Sequence, residues 1–514
     1  MKPQNLPAGR QGTCPTFVGR SRLQPAKAEG VLWAARSDPR CELFAHRDLF
    51  NDIIKHMEIN QKIFKAYDIR GIYPGDLNEE IAYRIGRAFV SFLRKFNTKA
   101  EKLKIVVGQD NRLSSPSLSK ALINGITDQG ADVIDIGLSV TPIMYFAVAY
   151  YKFDGGINVT ASHNPKDYNG FKLVREEATP VAEQSGMNEV KEMVKVNYFE
   201  AGPKGKIVEK YVIGDYFDFI LKDFNLKYFE SFRLVFDTAN AVSGIVVSKL
   251  VERIGFSVKH LFSDLDGSFP NHQPDPLSKE NLTDIQREVV AEKADIGVAF
   301  DGDGDRMFLV SEKGEVVPAD IVGALISKMI LEESDNSEKP IKIYYDVRCG
   351  RILPETIKKF GGEPIIGKVG HSLIKEKMRS EDILFAIELS GHFYYKAHYL
   401  CESPVFVLLK VLQEMKKTNK TFSQLVEPLH KYYSSGEINF SVIDKDGIIR
   451  QLEEKLGRGG EVLKIDGIRV DFDDWWFGVR PSNTEPLLRL VLEAKTKELM
   501  EEKKAEIIKI IQNN

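Results

Sequence analysis

Three stretches of the chain repeat one pattern of apolar and polar positions. Each opens with a β-rich apolar run that ends in aspartate: KIVVGQD to Asp110, RLVFD to Asp237 and IKIYYD to Asp346. Each continues through a helix-like segment to a glycine-led second apolar run, GADVIDIG, GFSVKHLF and GGEPIIGKVG. Each then reaches a third apolar run that stops at polar residues, in GGINVTASHNP, ADIGVAFDGDGDR and ILFAIELSGH. Short apolar runs alternating with helical stretches predict α/β layers with much parallel pairing. In such sheets ligands gather beyond the carboxyl ends of the strands. The endings at Ser162, Asp301 and Glu388 are therefore the first places to look for a site. The units differ in length, which predicts related domains rather than a solenoid. The plainer alternative is that any α/β protein has strands ending in polar loops.

The pattern breaks after YYSSGE. Residues 437 to 514 predict a strand, a helix near Ile448 to Leu456, further strands, and a final amphipathic helix over Glu493 to Ile511. A polar loop, RPSNTEP, lies between WWFGV and LLRLVL. The fold class expected is α/β: three related α/β domains with mixed sheets, over 57–205, 206–313 and 314–433, and a smaller α+β domain over 434–514. Residues 1 to 56 are rich in Arg, Pro and Gly and show no periodicity. They lack the apolar run of a secretory signal, and Glu29, Asp38, Glu42, Asp48 and Asp52 count against a transit peptide. They are expected to be a disordered extension or a start site placed too early, with the native start at Met57.

Composition narrows the function class. A chain of 514 residues is too long for one ordinary core, so about three or four domains are expected. With 43% hydrophobic and 28% charged residues and a net charge of -3, nothing points to a nucleic-acid or membrane partner. The longest apolar stretch, near Ile143 to Tyr151, is far short of a membrane span. The four cysteines are scattered, without metal-type spacing or a disulfide framework, which fits a reducing cytoplasm.

DGDGDR at 301 to 306 is the strongest chemical signal. Three carboxylates at alternate positions, with Gly302 and Gly304 between them, can close around one hard cation through oxygen ligands. Asp301, Asp303, Asp305 and Glu312 would also fit a helix–loop–helix calcium loop. That loop needs glycine at its sixth position, where this chain has Arg306, and MFLV reads as a strand. Magnesium is favoured. In TASHNP, Ser162 at a strand end can act as a nucleophile, or the segment can be an ordinary turn. His163 can orient a phosphate or cap that turn. Lys172, in NGFK, is either an acid/base or phosphate contact or a solvated lysine. RPSNTEP offers Arg480, Ser482, Asn483 and Thr484, a set suited to a phosphate dianion. IELSGH places Glu388, Ser390 and His392 together, equipment for gripping vicinal sugar hydroxyls. His371 lies in GKVGHS, and Arg70 in KAYDIRG is a basic residue in a Gly-ended loop; each has a purely structural alternative.

The ordered set KAYDIRG, TASHNPKDYNGFK, DGDGDR, GKVGHS, IELSGH and RPSNTEP resembles the α-D-phosphohexomutase superfamily, and within it the phosphomannomutase/phosphoglucomutase group. The match runs from about Ile63 to the C-terminus. The resemblance implies four domains around a central cleft. It implies a phosphorylated Ser162 and a Mg²⁺ ion bridging it to Asp301, Asp303 and Asp305. Lys172, Arg70 and His371 would line the reacting centre, where Lys172 or His392 could take the sugar hydroxyl's proton. Glu388 and Ser390 would bind sugar hydroxyls. Arg480, Ser482, Asn483 and Thr484 would hold the phosphate that is not reacting. Arg348, where the family commonly has a basic residue, His163 and Arg306 complete the expected substrate contacts. A hexose phosphate is the implied substrate and a hexose 1,6-bisphosphate the primer. Phosphoglucosamine mutase is the nearest alternative, but its metal loop usually reads DGDADR where this chain has Gly304. A metal-dependent sugar phosphatase and a non-catalytic sugar-phosphate binder are the others.

Overall fold

The three opening runs each become the inner strand of a separate sheet, and the surrounding strands repeat in the same order. In the first sheet, Lys104–Gln109 pairs in parallel with Asp132–Leu138 on one side and Gly155–Val159 on the other. Tyr168–Arg175 then returns antiparallel beside Gly155–Val159. In the second, Arg233–Asp237 lies between Ser257–Leu261 and Ile296–Phe300, with Met307–Ser311 antiparallel. In the third, Lys342–Asp346 lies between Glu363–Gly367 and Phe385–Ile387, with Phe393–Tyr395 antiparallel. The third strand of each set is buried along its whole length. Strands covered on both faces carry continuous apolar runs instead of alternation. The description covers residues 59–97, 102–197, 199, 203–334, 339–482 and 487–513; the expected extension over 1–56 and the start at Met57 lie outside it.

The opening aspartates repeat as well. Asp110 Oδ1 accepts from the Arg112 amide at 3.0 Å, and Asp346 Oδ1 from the Arg348 amide at 2.7 Å. Both aspartates also pair with the guanidinium of the same arginine. In the second unit Asp237 Oδ1 accepts from the Ala239 amide at 3.0 Å, and His272 takes the arginine's place. Each aspartate thus closes an Asx turn and fixes the direction in which the chain leaves its strand.

The fourth sheet is antiparallel, in the order Tyr433–Ser434, Leu487–Ala494, Trp475–Pro481, Ile468–Asp471, Glu461–Leu463, with Ile438–Ser441 also on Leu487–Ala494. Helices Lys445–Leu456 and Lys497–Gln512 contribute Ile448, Leu452, Ile507 and Ile511 to the core on this sheet. The last helix starts later than its amphipathic pattern predicts. Leu488, Leu490, Leu492 and Ala494 are buried at alternate positions, which keeps Glu493 in the strand. Thr496 then caps the helix by accepting from the Leu499 amide. KAYDIRG also differs from expectation: Arg70 lies on a strand, Ile69–Ile72, paired with Tyr168–Phe171. The run near Ile143 forms a buried helix, Thr141–Tyr150. Among the described residues, no helix is long and apolar enough to cross a membrane.

Candidate active site

The loops after the third strands of the first three units meet one another. Gly302 comes so near the serine loop that a Cβ there would lie 2.2 Å from the carbonyl oxygen of Ser162. Only glycine permits that backbone approach. Ser162 itself has φ 52°, a left-handed conformation, and is buried. Its amide donates to Thr160 Oγ1 at 3.0 Å. The loop is held in that shape by Arg112, which donates to the carbonyls of Ser162, Asn164, Pro165 and Tyr168 at 2.7–3.0 Å. The Ser162 hydroxyl is thereby aimed at the DGDGDR loop, with Oγ 2.8 Å from Asp301 Oδ2 and 3.1 Å from His163 Nδ1.

Asp301, Asp303 and Asp305 are all buried, and one carboxylate oxygen of each falls within 4.8 Å of the others. Gly304, at φ 68°, makes the reversal that brings them together. Asp301 Oδ1 accepts from the amides of Asp305 and Arg306, at 3.1 and 3.2 Å. Lys172, on the return strand, pairs with Asp303 at 2.7 Å and with Asp305. Thr141 donates its hydroxyl to Asp303. Asp303 Oδ1 is buried with no hydrogen-bond partner among the described residues. Burial, with Asp305 and Asp303 beside it, pushes the Asp301 carboxyl well up. Lys172, Arg306 and His392 bring positive charge to the three carboxylates, yet Asp303 Oδ1 keeps a buried oxygen donor open. That donor set suits a hard divalent cation.

The third unit supplies the opposite wall. His392 Nε2 lies 3.2 Å from Asp305 Oδ1, and its Nδ1 lies 3.1 Å from Glu388 Oε2. Burial lowers the His392 value, but the two carboxylates outweigh it and hold the imidazole up at about 9. Ser390 Oγ donates to Glu388 at 3.0 Å, and the Gly370 amide donates to Glu388 Oε1 at 2.8 Å. His371 follows as the first residue of helix His371–Glu381. Both its ring nitrogens are buried without a hydrogen-bond partner among the described residues. Burial, then Lys375 and Lys172, push its value well down, so it stays neutral. Tyr67 ties this turn to the first unit: its hydroxyl donates to the Val369 carbonyl at 3.1 Å, and its ring meets His371 edge-on. Arg70 pairs with Asp68 and reaches Asn164 Oδ1 at 2.5 Å, beside the serine loop. His163 is pushed well down by burial, Arg306 and Arg70.

Arg348 and Arg480 line a separate cavity between the third and fourth sheets, with Glu437, Asp466 and Arg489. Arg348 Nη1 pairs with Glu437 at 3.1 Å, and Arg489 Nη1 with the same carboxylate at 3.0 Å. Arg480 Nε donates to Asp466 at 2.8 Å. Arg348 Nη2 also lies 3.5 Å from Ser390 Oγ, linking this cavity to the IELSGH segment. Ser482 donates its amide to the Leu487 carbonyl at 2.8 Å; Asn483 and Thr484 lie outside the described residues. The structure therefore gathers Ser162, His163, Lys172, Arg306, the three aspartates, Glu388, Ser390, His371 and His392, with Arg70 at the edge. The sequence reading missed Arg112, Thr141, Arg489, Glu437 and Asp466 as members of the site. Only Arg112 carried a local signal, two residues after the opening Asp110, in the position Arg348 takes after Asp346.

Comparison with known proteins agrees with this arrangement. Four successive family models for phosphoglucomutase/phosphomannomutase match the chain: α/β/α domains I, II and III over residues 61–201, 214–314 and 318–433, and the C-terminal domain over 437–510. A phosphomannomutase of Methanocaldococcus jannaschii is 39% identical over 456 residues, 87% of this chain and 97% of the relative. A phosphomannomutase/phosphoglucomutase of Pseudomonas aeruginosa is 37% identical over 443 residues, covering 85% of this chain and 93% of the relative. The crystal structure of a phosphoglucomutase/phosphomannomutase family protein from Burkholderia thailandensis superposes with a TM-score of 0.79 at 34% identity, over 89% of this chain and 98% of the other.

Proposed function

The chain belongs to the phosphoglucomutase/phosphomannomutase family, and from that premise we propose that it moves a phosphoryl group reversibly between the 1- and 6-positions of a hexose phosphate, mannose or glucose, with Ser162 as the carrier. One observation supports the carrier most strongly: the Ser162 hydroxyl sits 2.8 Å from Asp301, beside the lysine-bridged carboxylates of the metal loop. A serine that was only a turn residue would not need to be buried against three converging carboxylates.

In the proposed cycle phosphoserine gives its phosphoryl group to the free hydroxyl of the bound hexose phosphate. The bond from phosphorus to the serine oxygen breaks and one to the sugar oxygen forms, leaving a 1,6-bisphosphate. That bisphosphate turns end for end, and its other phosphoryl group returns to Ser162. A hexose 1,6-bisphosphate added as primer phosphorylates enzyme that has lost its group. Asp301, Asp303 and Asp305 would hold magnesium, which when bound supplies positive charge to the transferring phosphoryl oxygens. Lys172, Arg306, Arg70 and His163 surround the same region and orient that group.

The sugar hydroxyl must lose a proton as it attacks. Asp303 and Asp305 hold Lys172 protonated, overcoming its burial, and carboxylates hold His392 protonated. A cation on Asp303 and Asp305 would relieve that hold, which keeps both as alternative acceptors. His371 is neutral with both nitrogens unengaged among the described residues, so it is assigned the role of base. Glu388 and Ser390 take the sugar hydroxyls. Arg348 and Arg480, with Ser482, Asn483 and Thr484, take the phosphate that is not reacting. A cytoplasmic setting accords with Cys349 and Cys401, both buried as free thiols.

Gly304 bears on the choice between hexoses and glucosamine. At φ 68°, a Cβ on Gly304 would lie 2.8 Å from Val140 Cγ1, so the alanine of the DGDADR loop does not fit this backbone. Ser162→Ala is expected to lower exchange of phosphate between the 1- and 6-positions of mannose 1-phosphate and glucose 1-phosphate by about a thousandfold or more. Retained turnover in a coupled assay would remove Ser162 from the mechanism.

A further inference from the structure

Two buried carboxylates face each other where the fourth domain rests on the third. Asp320 is in the first turn of helix Ala319–Glu333. Glu493 is on Leu487–Ala494, the strand that emerges from the RPSNTEP loop. They are 8% and 5% exposed. Between them lies Gly350, whose absent side chain makes the approach possible. A Cβ there would lie 2.2 Å from Glu493 Oε2 and 3.0 Å from Asp320 Oδ2. The two oxygens are therefore at most about 5 Å apart, close enough in a water-poor site for two negative charges to repel strongly.

The other partners offset that repulsion only in part. Glu493 Oε1 accepts from the Arg351 amide at 3.0 Å and from the Trp476 indole at 2.8 Å. Asp320 Oδ2 accepts from the Gly350 amide at 2.8 Å. Two arginines are nearby, but their guanidinium groups are spent elsewhere. Arg469 donates to the carbonyls of Val347 and Cys349 at 2.9 and 2.8 Å and pairs with Asp471. Arg351 donates to the carbonyls of Asp473 and Trp475, both at 2.9 Å. The remaining titratable groups facing the pair, Asp346, Cys349 and Tyr432, supply no positive charge.

We propose that Asp320 and Glu493 are a proton-dependent latch: docked, they share one proton across Gly350, and loss of that proton to solvent loosens the fourth domain and the phosphate loop it carries. Burial, with Asp320 opposite, pushes the Glu493 carboxyl up to about 7, although the Arg351 amide, the Trp476 indole and the Arg469 charge lower it. A carboxyl with that docked value and an ordinary undocked value takes up a proton on docking across the interval between them. Docking is therefore strongest at the acid end, weakens as pH rises through the interval, and levels off above 7. Between pH 6 and pH 8 the docking equilibrium falls about tenfold.

The latch is independent of the carrier assignment, because it is measured without substrate. Hydrogen–deuterium exchange of the peptide containing Gly350 and Arg351, whose amides are bonded to the two carboxylates, reads docking directly. Rates are normalised to the free peptide at each pH. The full-length protein is expected to lose about tenfold protection between pH 6 and pH 8. Glu493→Gln keeps both acceptor bonds and gives Asp320 a permanent donor, so its protection should not vary with pH. Asp320→Asn should abolish the dependence from the other side of Gly350. No fall in the unsubstituted protein, or an equal fall in both variants, overturns the proposal.

Discussion

Ser162 holds its place through backbone constraints more than through its own hydroxyl. Its left-handed φ, the Arg112 grip on four carbonyls and the bare Gly302 against its carbonyl together leave one direction for Oγ. The same economy applies to Gly304, which sits at φ 68° against Val140. Gly304→Ala should cost about 1–3 kcal/mol in stability, read from the urea midpoint, and should weaken metal binding at the same time. An unchanged midpoint would mean the loop relaxes freely. At this scale the sequence is informative where chemistry is local: six residues from 301 to 306 mark the acidic cluster that the fold draws together. It was silent on Arg112 as a brace, because the carbonyls it serves follow 50 to 56 residues later and carry no side-chain signature.

Helix His371–Glu381 does two jobs at the level of elements. Its first residue buries a neutral imidazole, unpartnered among the described residues, and one turn on Lys375 enters the core. The ammonium lies 2.6 Å from Glu402 Oε2, with both side chains fully buried, and 3.8 Å from the centroid of the Tyr145 ring in the first unit. One oxygen of Glu402 also comes within 4.8 Å of ligand atoms of Asp305 and His392. Lys375→Met would leave Glu402 uncompensated among other carboxylates, at a cost of about 3–5 kcal/mol. The double variant Lys375→Met/Glu402→Leu should recover most of that loss in denaturant unfolding; no recovery would mean that Lys375 packing, rather than charge, is what matters. Nothing in GKVGHS or CESP marks this pair, because it exists only once two strands and a helix have assembled. KAYDIRG failed in a related way: its strand is short and gains its pairing from residues a hundred positions later. The final helix was placed too early because alternation through Ala494 overlaps an amphipathic pattern, and burial of the alternating set decides in favour of the strand.

Over the whole molecule, three copies of one strand order put three different chemistries at one meeting point, and a fourth domain adds arginines. The threefold pattern was legible because it is a matter of burial: strands enclosed on both faces must be continuously apolar. What each ending would touch depends on how the units face one another, which periodicity does not encode. A cation held by Asp301, Asp303 and Asp305 would be a structural partner as well as a chemical one, since those ligands belong to the second unit while the residues that crowd them come from the first and third. Adding magnesium to about a hundred times its Kd should stabilise the chelator-treated protein by about 2.7 kcal/mol, seen as a rise in thermal midpoint. Asp303→Asn should erase that rise; a midpoint insensitive to magnesium in the unsubstituted protein would exclude the loop as its site. The account as a whole turns on where the phosphoryl group rests between half-reactions. Incubation with hexose 1,6-bisphosphate carrying labelled phosphorus, followed by acid quench and peptide mapping, locates it. The label is predicted on Ser162 and removable by hexose monophosphate; label on another residue, or none on the protein during turnover, would contradict the account.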